Sequence, residues 1–325
     1  MSSTRNKLIQ LLSTHKESYI SGQFLSDELN ISRSAIWKHM NELKKDGYEI
    51  EGKAKKGYKI ISYPNKLSEN TLSWGLNTEW LGQTIIHKES TTSTQRIAHE
   101  LALNGAKHGT IVIADEQTKG KGRIDRAFHS NNGKGIWMSM ILRPSILPFL
   151  APQLTLLTAT VIANVIDDYA NIKPQIKWPN DILIHGKKMT GILTEMQAEQ
   201  DQVLYVIVGT GININQAKED LPEDIQKKAT SLQIETGKHW DMLPMIQQIL
   251  RTFEKKYSNY INHGFQDVKQ TWENYGFRMN ERLQIKSGKE EWEGIFLGIA
   301  EDGALLAKKD DGKIEKVYSA EISWF

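Results

Sequence analysis

The chain has 325 residues, of which 39% are hydrophobic and 25% are charged, and its formal net charge is +2. These values are typical of a globular protein with two or three domains, each with a core of its own. The absence of cysteine excludes disulfides, thiolate catalysis and cysteine-ligated zinc, and it fits a reducing, cytoplasmic compartment. We expect no signal peptide and no membrane span, because no suitable apolar segment is evident.

Positive charge is concentrated at the N-terminus. Residues 1–66 contain twelve Lys and Arg against seven Asp and Glu, so the rest of the chain is mildly acidic. A basic head on an acidic body predicts a polyanionic partner for the head alone, although a solvated charged surface would give the same balance.

The head has the pattern of helices joined by short turns. Apolar residues at helical spacing predict a first helix over residues 5–13. Ser21 can cap a second helix that ends at Leu29 and has Phe24, Leu25 and Leu29 on one face. A third helix is predicted from the capping residue Ser32 to about residue 46. Its core-facing positions are Ile36, Met40 and Leu43.

A basic hairpin follows these helices and completes the pattern of a winged helix-turn-helix. Strands are predicted over residues 48–51 and 58–61, with a glycine-flanked turn between them. The start of a capped helix reaches base edges in the major groove, which makes candidates of Ser32, Arg33, Ser34, Trp37 and Lys38. The wing would contact phosphates through Lys53, Lys55 and Lys56. A small protein-docking module is the alternative to DNA binding.

A larger mixed domain is predicted after a linker at residues 64–68, where Ser68 can cap a short helix. Helical spacing covers residues 149–170 and 242–275. Strand-like runs cover residues 111–114, 136–142, 181–185, 191–197 and 203–208. The tail has short alternating runs separated by Ser-Gly and Asp-Gly turns, which predicts a small β-barrel. The fold class is therefore α+β.

A basic glycine loop, Gln117-Thr118-Lys119-Gly120-Lys121-Gly122-Arg123, follows the first of these strands. Its glycines let backbone N–H groups approach an anion, and Lys121 and Arg123 add donors for phosphate or carboxylate. The spacing matches neither a Walker A loop nor a dinucleotide fingerprint. The alternative is a flexible basic surface loop.

A second cluster, Lys177-Trp178-Pro179-Asn180-Asp181, places polar side chains where a strand begins. Lys188 then enters the strand predicted over residues 191–197, which would hold one positive charge rigidly. Activation of a carboxylate by ATP gathers negative charge on phosphorus oxygens, and fixed cations with Mg²⁺ meet that requirement. The alternative for Lys187-Lys188 is an ordinary charged hairpin turn.

Two further segments are candidates for close contact with a ligand. Ser93-Thr94-Gln95 opens a helix, where a helix cap is the simplest interpretation and binding of a polar ring is the functional one. Gly209-Thr210-Gly211-Ile212-Asn213 is predicted as a loop at the end of a strand, with a plain turn as the alternative.

These motifs occur in the order seen in biotin–protein ligases, and with the head the whole chain resembles the bifunctional bacterial biotin ligases and biotin-operon repressors. The resemblance implies a winged helix-turn-helix over residues 1–65, a class II synthetase-like ligase core over 66–275 and an SH3-like barrel over 276–325. It also implies formation of biotinyl-5′-adenylate from biotin and ATP with Mg²⁺, and transfer of biotin to a lysine of a biotin carboxyl carrier protein. The adenylate would be the corepressor, with a homodimer bound to operator DNA and no membrane partner.

The resemblance also assigns roles to residues. Lys188, Arg123 and Asp181 match the reacting centre, without metal ligands of the protein's own. Biotin or adenylate binding is implied for Ser93, Thr94, Gln95, Gln117, Lys121, Gly122, Arg123, Asn180, Lys188, Gly191, Gly211 and Asn213. Lys121 stands where an Arg is usual, which keeps the charge and loses the bidentate fork. A biotin-sensing repressor without ligase activity and a lipoate-type ligase are the open alternatives.

Overall fold

The structure is a computed structural model that describes residues 4–15, 17–123, 126–288 and 290–324, and it leaves the side chain of Asn6 undescribed. The ends of the predicted first and third domains, residues 1–3 and 325, lie outside the described residues. Along the chain come a helical head with a two-stranded wing, a seven-stranded sheet with helices on both faces, and a five-stranded sheet. The predicted α+β class is confirmed.

The head follows the local signals of the sequence. Its elements are α1 (Thr4–Thr14), α2 (Gly22–Leu29), α3 (Arg33–Lys45), β1 (Glu49–Lys53) and β2 (Gly57–Ser62). The Ser21 hydroxyl accepts from Phe24 N at 3.0 Å and the Ser32 hydroxyl from Ala35 N at 3.2 Å, so both predicted caps are confirmed. Of the residues predicted on one face of α2, Leu25 is buried, whereas the Phe24 ring lies at the surface, edge-on to His15.

The head is docked on the rest of the chain through a short helix, α4 (Glu69–Ser73), capped by Ser68 as predicted. Trp74, which follows α4, is buried in the core of the head, with its ring 6.0 Å from that of Tyr48 and 5.4 Å from that of Tyr63. The amide of Asn70 donates to the Asp46 carboxylate at 3.1 Å. The head and the central sheet therefore meet through packed side chains.

The central sheet has the strand order β3-β4-β5-β9-β8-β7-β6, and only the β3–β4 pair among these described strands is parallel. Its strands are β3 (Ile85–Thr91), β4 (Thr110–Gln117), β5 (Gly135–Leu142), β6 (Gln175–Lys177), β7 (Asp181–Ile184), β8 (Lys187–Glu199) and β9 (Gln202–Asn213). The helices are α5 (Thr94–Leu103), α6 (Pro152–Ala170), α7 (Leu232–Thr236), α8 (Met242–His263) and α9 (Gln266–Tyr275).

The prediction missed several features of this domain. Strands β3 and β6 were not predicted, since one is mostly polar and the other has three residues. The predicted helix over residues 242–275 is two helices, interrupted at Gly264 with a φ of +85°. The segment predicted as a loop at residues 209–213 is the last part of β9, because β5 and β8 pair with it on both sides.

Helices cover both faces of the sheet. On one face, Ala98 and Ala102 of α5 pack against strand residues such as Val112 and Ile207. On the other face lie α6, α8 and α9. The segment Pro148–Ala170 is long and apolar enough to cross a membrane, but it is mostly buried, as expected of a core helix.

The C-terminal sheet is antiparallel, with the order β13-β12-β11-β10-β14. Its strands are β10 (Arg282–Ser287), β11 (Glu290–Ile299), β12 (Leu305–Lys308), β13 (Ile314–Val317) and β14 (Glu321–Trp324). The turns fall at the predicted Gly288, Gly303 and Gly312, all at positive φ. The Trp178 indole donates to the Gly303 carbonyl at 3.1 Å, which ties this sheet to the central domain.

Candidate functional site

A cleft of about 480 Å³ lies between the start of α5, the central sheet and the C-terminal sheet. This volume suits a small-molecule ligand. The predicted site residues that line it are Ser93, Thr94, Gln95, Gln117, Lys121, Gly122, Arg123, Asn180, Asp181, Lys188, Gly191 and Gly211. Asn213 does not line it; its amide donates to the Thr230 carbonyl at 3.0 Å and accepts from Gln216 at 3.1 Å. Asn213 therefore anchors the chain that leaves β9.

The floor of the cleft is a row of cross-strand neighbours. Asp181 pairs with Gly191, Gly191 with Gly211, and Gly211 with Trp137. A Cβ on Gly211 would lie 2.4 Å from the Phe128 ring. On the adjoining row, a Cβ on Gly209 would lie 2.4 Å from the Gln95 side-chain oxygen. The register thus lines up positions where glycine lets the Phe128 ring and the Gln95 side chain approach the strands closely.

One end of the cleft is a hydrogen-bonded polar cluster. The Gln117 side-chain oxygen accepts from Thr94 N at 2.8 Å and from the Thr94 hydroxyl at 3.1 Å. Thr94 Oγ1 lies 2.9 Å from Ser139 Oγ, which donates to the Gln95 oxygen at 3.1 Å. Thr94, Gln95 and Ser139 are buried and Gln117 is half-buried, so these polar groups are held at fixed positions, as recognition of a polar ring requires.

Ser93 occupies the cap position of α5 without serving as the cap. Its hydroxyl makes no capping hydrogen bond, and Gln117 satisfies the next backbone N–H instead. The Ser93 Oγ atom is buried at the cleft and has no hydrogen-bond partner among the described residues. A buried hydroxyl in this state is stabilised by a ligand that can hydrogen-bond to it.

The other end of the cleft carries positive charge. Lys188 Nζ lies 2.7 Å from an Asp181 carboxylate oxygen. The Arg123 guanidinium donates to the Asn180 side-chain oxygen at 3.2 Å, and Asn180 Nδ2 donates to the Ile192 carbonyl at 2.8 Å. Lys188 belongs to strand β8 and the turn precedes it at residues 185–186, which favours the prediction of a rigid charge over a hairpin turn.

Burial makes two basic side chains at this end of the cleft easier to deprotonate. It lowers the pKa of the Arg123 guanidinium and that of Lys177, and in both cases the nearby Asp181 charge opposes the shift. Six lysine and arginine residues and three carboxylates line the described cleft. Three of the cations, Arg123, Lys177 and Lys188, are partly buried, against one partly buried carboxylate, Asp181. Such an excess of partly buried cations stabilises an anionic ligand.

The basic glycine loop is folded over the floor. Gly122 N donates to the Arg126 carbonyl at 2.7 Å, and Phe128 N donates to the Gly120 carbonyl at 2.9 Å. The Phe128 ring meets Trp137 edge-on with centroids 5.9 Å apart, and Arg126 is paired with Glu321 of β14. The described residues 120–123 and 126–128 therefore cover the cleft and contact the C-terminal sheet.

Several residues that line the cleft were not predicted. Ser139 had a usable signal, as a polar residue inside the fully buried strand β5. Lys177 belongs to a motif that the sequence did indicate. Nothing near Phe128 in the sequence marked it, and the C-terminal sheet contributes distant residues, namely Gln284, Lys286, Glu291, Ala320, Glu321, Ile322 and Ser323.

The candidate DNA-binding residues of the head are all exposed, namely Ser32, Arg33, Ser34, Trp37, Lys38, Lys53, Lys55 and Lys56. Trp37 is 61% exposed, which is unusual for a tryptophan and leaves its ring available to a partner. Lys53 differs from the other wing lysines, because its ammonium lies 3.0 Å from the Glu51 carboxylate. Its charge is therefore partly neutralised within the wing.

Known proteins resemble the chain over its whole length. Residues 88–213 match the biotin/lipoate A/B protein ligase family, 4–59 an HTH domain and 279–324 the biotin protein ligase C terminal domain. The bifunctional ligase/repressor BirA of Bacillus spizizenii is 48% identical over 99% of this chain and 98% of its own. BirA of Escherichia coli is 27% identical over 98% and 96%. A structure of biotin protein ligase from Aquifex aeolicus in complex with biotin and ATP has a TM-score of 0.63 at 30% identity, covering 74% of this chain and 97% of that one.

Proposed function

Because the chain belongs to the family of bifunctional biotin ligases and repressors, we propose that its cleft binds biotin with ATP and its head binds operator DNA. The chain is a biotin–[acetyl-CoA-carboxylase] ligase. The biotin carboxylate attacks the α-phosphorus of ATP and pyrophosphate leaves. The ε-amine of one carrier-protein lysine then attacks the carbonyl carbon, and AMP leaves. Mg²⁺ enters with ATP as part of that substrate.

The observation that carries this proposal is the division of one cleft into a polar end and a cationic end. The fused ring of biotin presents N–H donors and a carbonyl oxygen. The polar end offers the Ser93 hydroxyl, which has no partner in the described part of the chain, beside Thr94 and Gln95. Gly209 and Gly211 let the Gln95 amide and the Phe128 ring lie directly against the floor of the cleft. The bound orientation would direct the biotin carboxylate toward the cationic end.

At the cationic end, Lys188 and Arg123 hold negative charge as it grows on the phosphorus oxygens. Asp181 and Asn180 keep these two cations in place through the contacts described above. Lys121 and Gly122 belong to the folded loop, which would cover the adenylate and keep water from it. Asn213 supports the chain beyond β9 from outside the cleft.

A pyrophosphate-exchange assay tests the ligase function. With Mg²⁺ and ATP, we expect labelled pyrophosphate to enter ATP only when biotin is present. An absence of exchange would leave a biotin-sensing repressor without ligase activity. The purified carrier domain, offered biotin and lipoate in parallel, should be biotinylated, whereas lipoylation would assign the chain to the lipoate ligases.

The repressor function depends on an equilibrium between monomer and homodimer. We propose that bound adenylate favours a homodimer, because a ligand shifts an equilibrium by its difference in affinity for the two states. Two heads, each ending near residue 65, would then bind two operator half-sites in the cytoplasm. The core would end near residue 275. A mobility shift with biotin-operon DNA should strengthen when biotin and ATP are added, and sedimentation should show the dimer under the same conditions.

A further inference from the structure

We infer that Glu195 and His99, which lie behind the cleft, position the Gln95 side chain for the ring of biotin. Neither residue lines the described cleft. Gln95 and His99 are one turn apart on α5, and both face strand β8, which carries Glu195. The inference rests on the proposed function, because it takes Gln95 to be a biotin contact.

The Gln95 amide is held in one orientation. Its Nε2 donates to Glu195 Oε2 at 2.9 Å and makes longer contacts, at 3.4 Å, to the carbonyls of Leu193 and Ile207. Its Oε1 accepts from Ser139 Oγ at 3.1 Å. Since all of the Nε2 partners are acceptors and the Oε1 partner is a donor, the network decides which way the amide points.

Glu195 is itself held by His99. His99 Nε2 lies 3.1 Å from Glu195 Oε2, which is the oxygen that Gln95 also contacts. The His99 ring meets the Tyr205 ring edge-on, with centroids 5.7 Å apart. The hydrogen bond from His99 lowers the pKa of Glu195, and Gln95 and the charge of Lys121 act in the same direction. An ionised Glu195 can only accept, so it always selects the Nε2 side of Gln95.

The orientation of Gln95 matters to the rest of the polar end. Ser139, which donates to Gln95, also contacts Thr94, and Thr94 donates to Gln117. Without Glu195 the Gln95 amide loses its shortest Nε2 contact and keeps only the 3.4 Å contacts to two carbonyls, so Oε1 is held less firmly beside the floor at Gly209. The polar end would then lose affinity for biotin, whereas Lys188 and Arg123 make none of these contacts with the described residues and would keep their function.

The test begins with Glu195→Ala in the full-length enzyme. We expect the KM and the calorimetric Kd for biotin to rise on the order of tenfold, as the loss of one orienting charged hydrogen bond implies. The KM for ATP and kcat should change by less than about twofold. Glu199→Ala is the matched control, since Glu199 is an exposed carboxylate near the end of the same strand. Thermal unfolding of both variants checks the fold.

Three further variants separate positioning from general stabilisation. Glu195→Gln retains an acceptor oxygen and should recover part of the biotin affinity. His99→Phe preserves a ring against Tyr205 but removes the hydrogen bond, and its effect should be smaller than that of Glu195→Ala. In a Gln95→Ala background, Glu195→Ala should add less than about twofold, because residues that act through one another are not additive.

The outcomes distinguish this inference from the proposed function. If Gln95→Ala does not change the biotin Kd, the assignment of Gln95 to biotin binding fails. If Gln95→Ala weakens binding but Glu195→Ala does not, or if the two effects add fully, the positioning role is overturned. A loss in kcat or ATP affinity equal to the loss in biotin affinity would also overturn it.

Discussion

The structure of the head is set by residues that are close together in the sequence, whereas the structure of the cleft is set by the pairing of strands that are far apart in the sequence. In the head, Ser21 and Ser32 each accept a hydrogen bond from a backbone N–H three residues later, so each helix starts on a local signal. In the cleft, Asp181, Gly191, Gly211 and Trp137 come from four strands and meet only because those strands pair in one register. A substitution in the head should therefore have a local effect, and one in the cleft should disturb several elements together.

Lys188→Ala should have the largest effect of the substitutions considered. It removes a fixed cation at the proposed reacting centre and leaves the Asp181 carboxylate without the Lys188 ammonium at 2.7 Å. Loss of one group that stabilises transition-state charge typically lowers kcat by about 10²–10³-fold. Biotin-dependent pyrophosphate exchange measures this step directly.

Lys187→Ala is the control for Lys188→Ala, because the adjacent residue has the same charge and does not line the described cleft. It should leave the exchange rate within about twofold. DNA binding without ligand should be the same for both variants. Equal losses from Lys187 and Lys188 would show that total charge, not a placed cation, controls the rate.

Gly211→Ala tests the floor of the cleft. Its Cβ would lie 2.4 Å from the Phe128 ring, so the folded loop must move or the strand must shift. Overpacking of this kind costs about 1–3 kcal/mol, and we expect biotin affinity to fall about 10- to 100-fold in calorimetry.

Gly22→Ala in the head is the matched glycine control for Gly211→Ala. Its Cβ would lie 3.5 Å from the Tyr58 ring, which is an ordinary contact. It should leave biotin affinity unchanged. If the Gly211→Ala variant binds biotin as tightly as the Gly22→Ala variant does, then the floor of the cleft does not require glycine at position 211.

The same contrast explains how much the sequence could predict. Caps, apolar spacing and glycine turns gave the helices of the head, the wing and the C-terminal turns, because each depends on a few adjacent residues. The motifs marked Arg123, Asn180, Asp181 and Lys188, which the fold does bring together. Phe128 could not be predicted, since its place over Gly211 depends on how one segment folds back over a strand far along the chain.

Asn213 shows that a sequence motif can also include a residue that does not line the cleft. The sequence motif placed it with Gly211, two residues earlier, and the prediction treated both as part of one loop. In β9, two residues that are two positions apart share a face, but β9 ends at Asn213, and its side chain binds Thr230 and Gln216 instead of lining the cleft. A sequence motif therefore indicates the region of a site, and the strand register determines which of the motif's residues line the cleft.

Arg33→Ala tests the head as a separate unit. Arg33 is exposed in the first turn of α3, where a recognition helix contacts base edges. We expect operator affinity to fall about tenfold, within the 1–3 kcal/mol typical of a base contact, with pyrophosphate exchange unchanged. Lys45→Ala, exposed at the other end of α3, is the control for charge loss. Equal losses in a mobility shift would remove Arg33 from base contact.

Ser21→Ala should have the smallest effect and the most local one. The Ser21 hydroxyl caps α2 by accepting from Phe24 N at 3.0 Å, and loss of such a cap costs about 1 kcal/mol. Amide hydrogen exchange over residues 22–29 should then be about fivefold faster, because local opening becomes that much easier. Ser18→Ala is the control, since the exposed Ser18 hydroxyl makes a long, 3.4 Å contact with the His15 carbonyl and does not cap a helix. Faster amide exchange around Gly191 and Gly211 in the Ser21→Ala variant would contradict the independence of head and cleft. A helix cap with a local effect should not change the opening of strands that are held by pairing with one another.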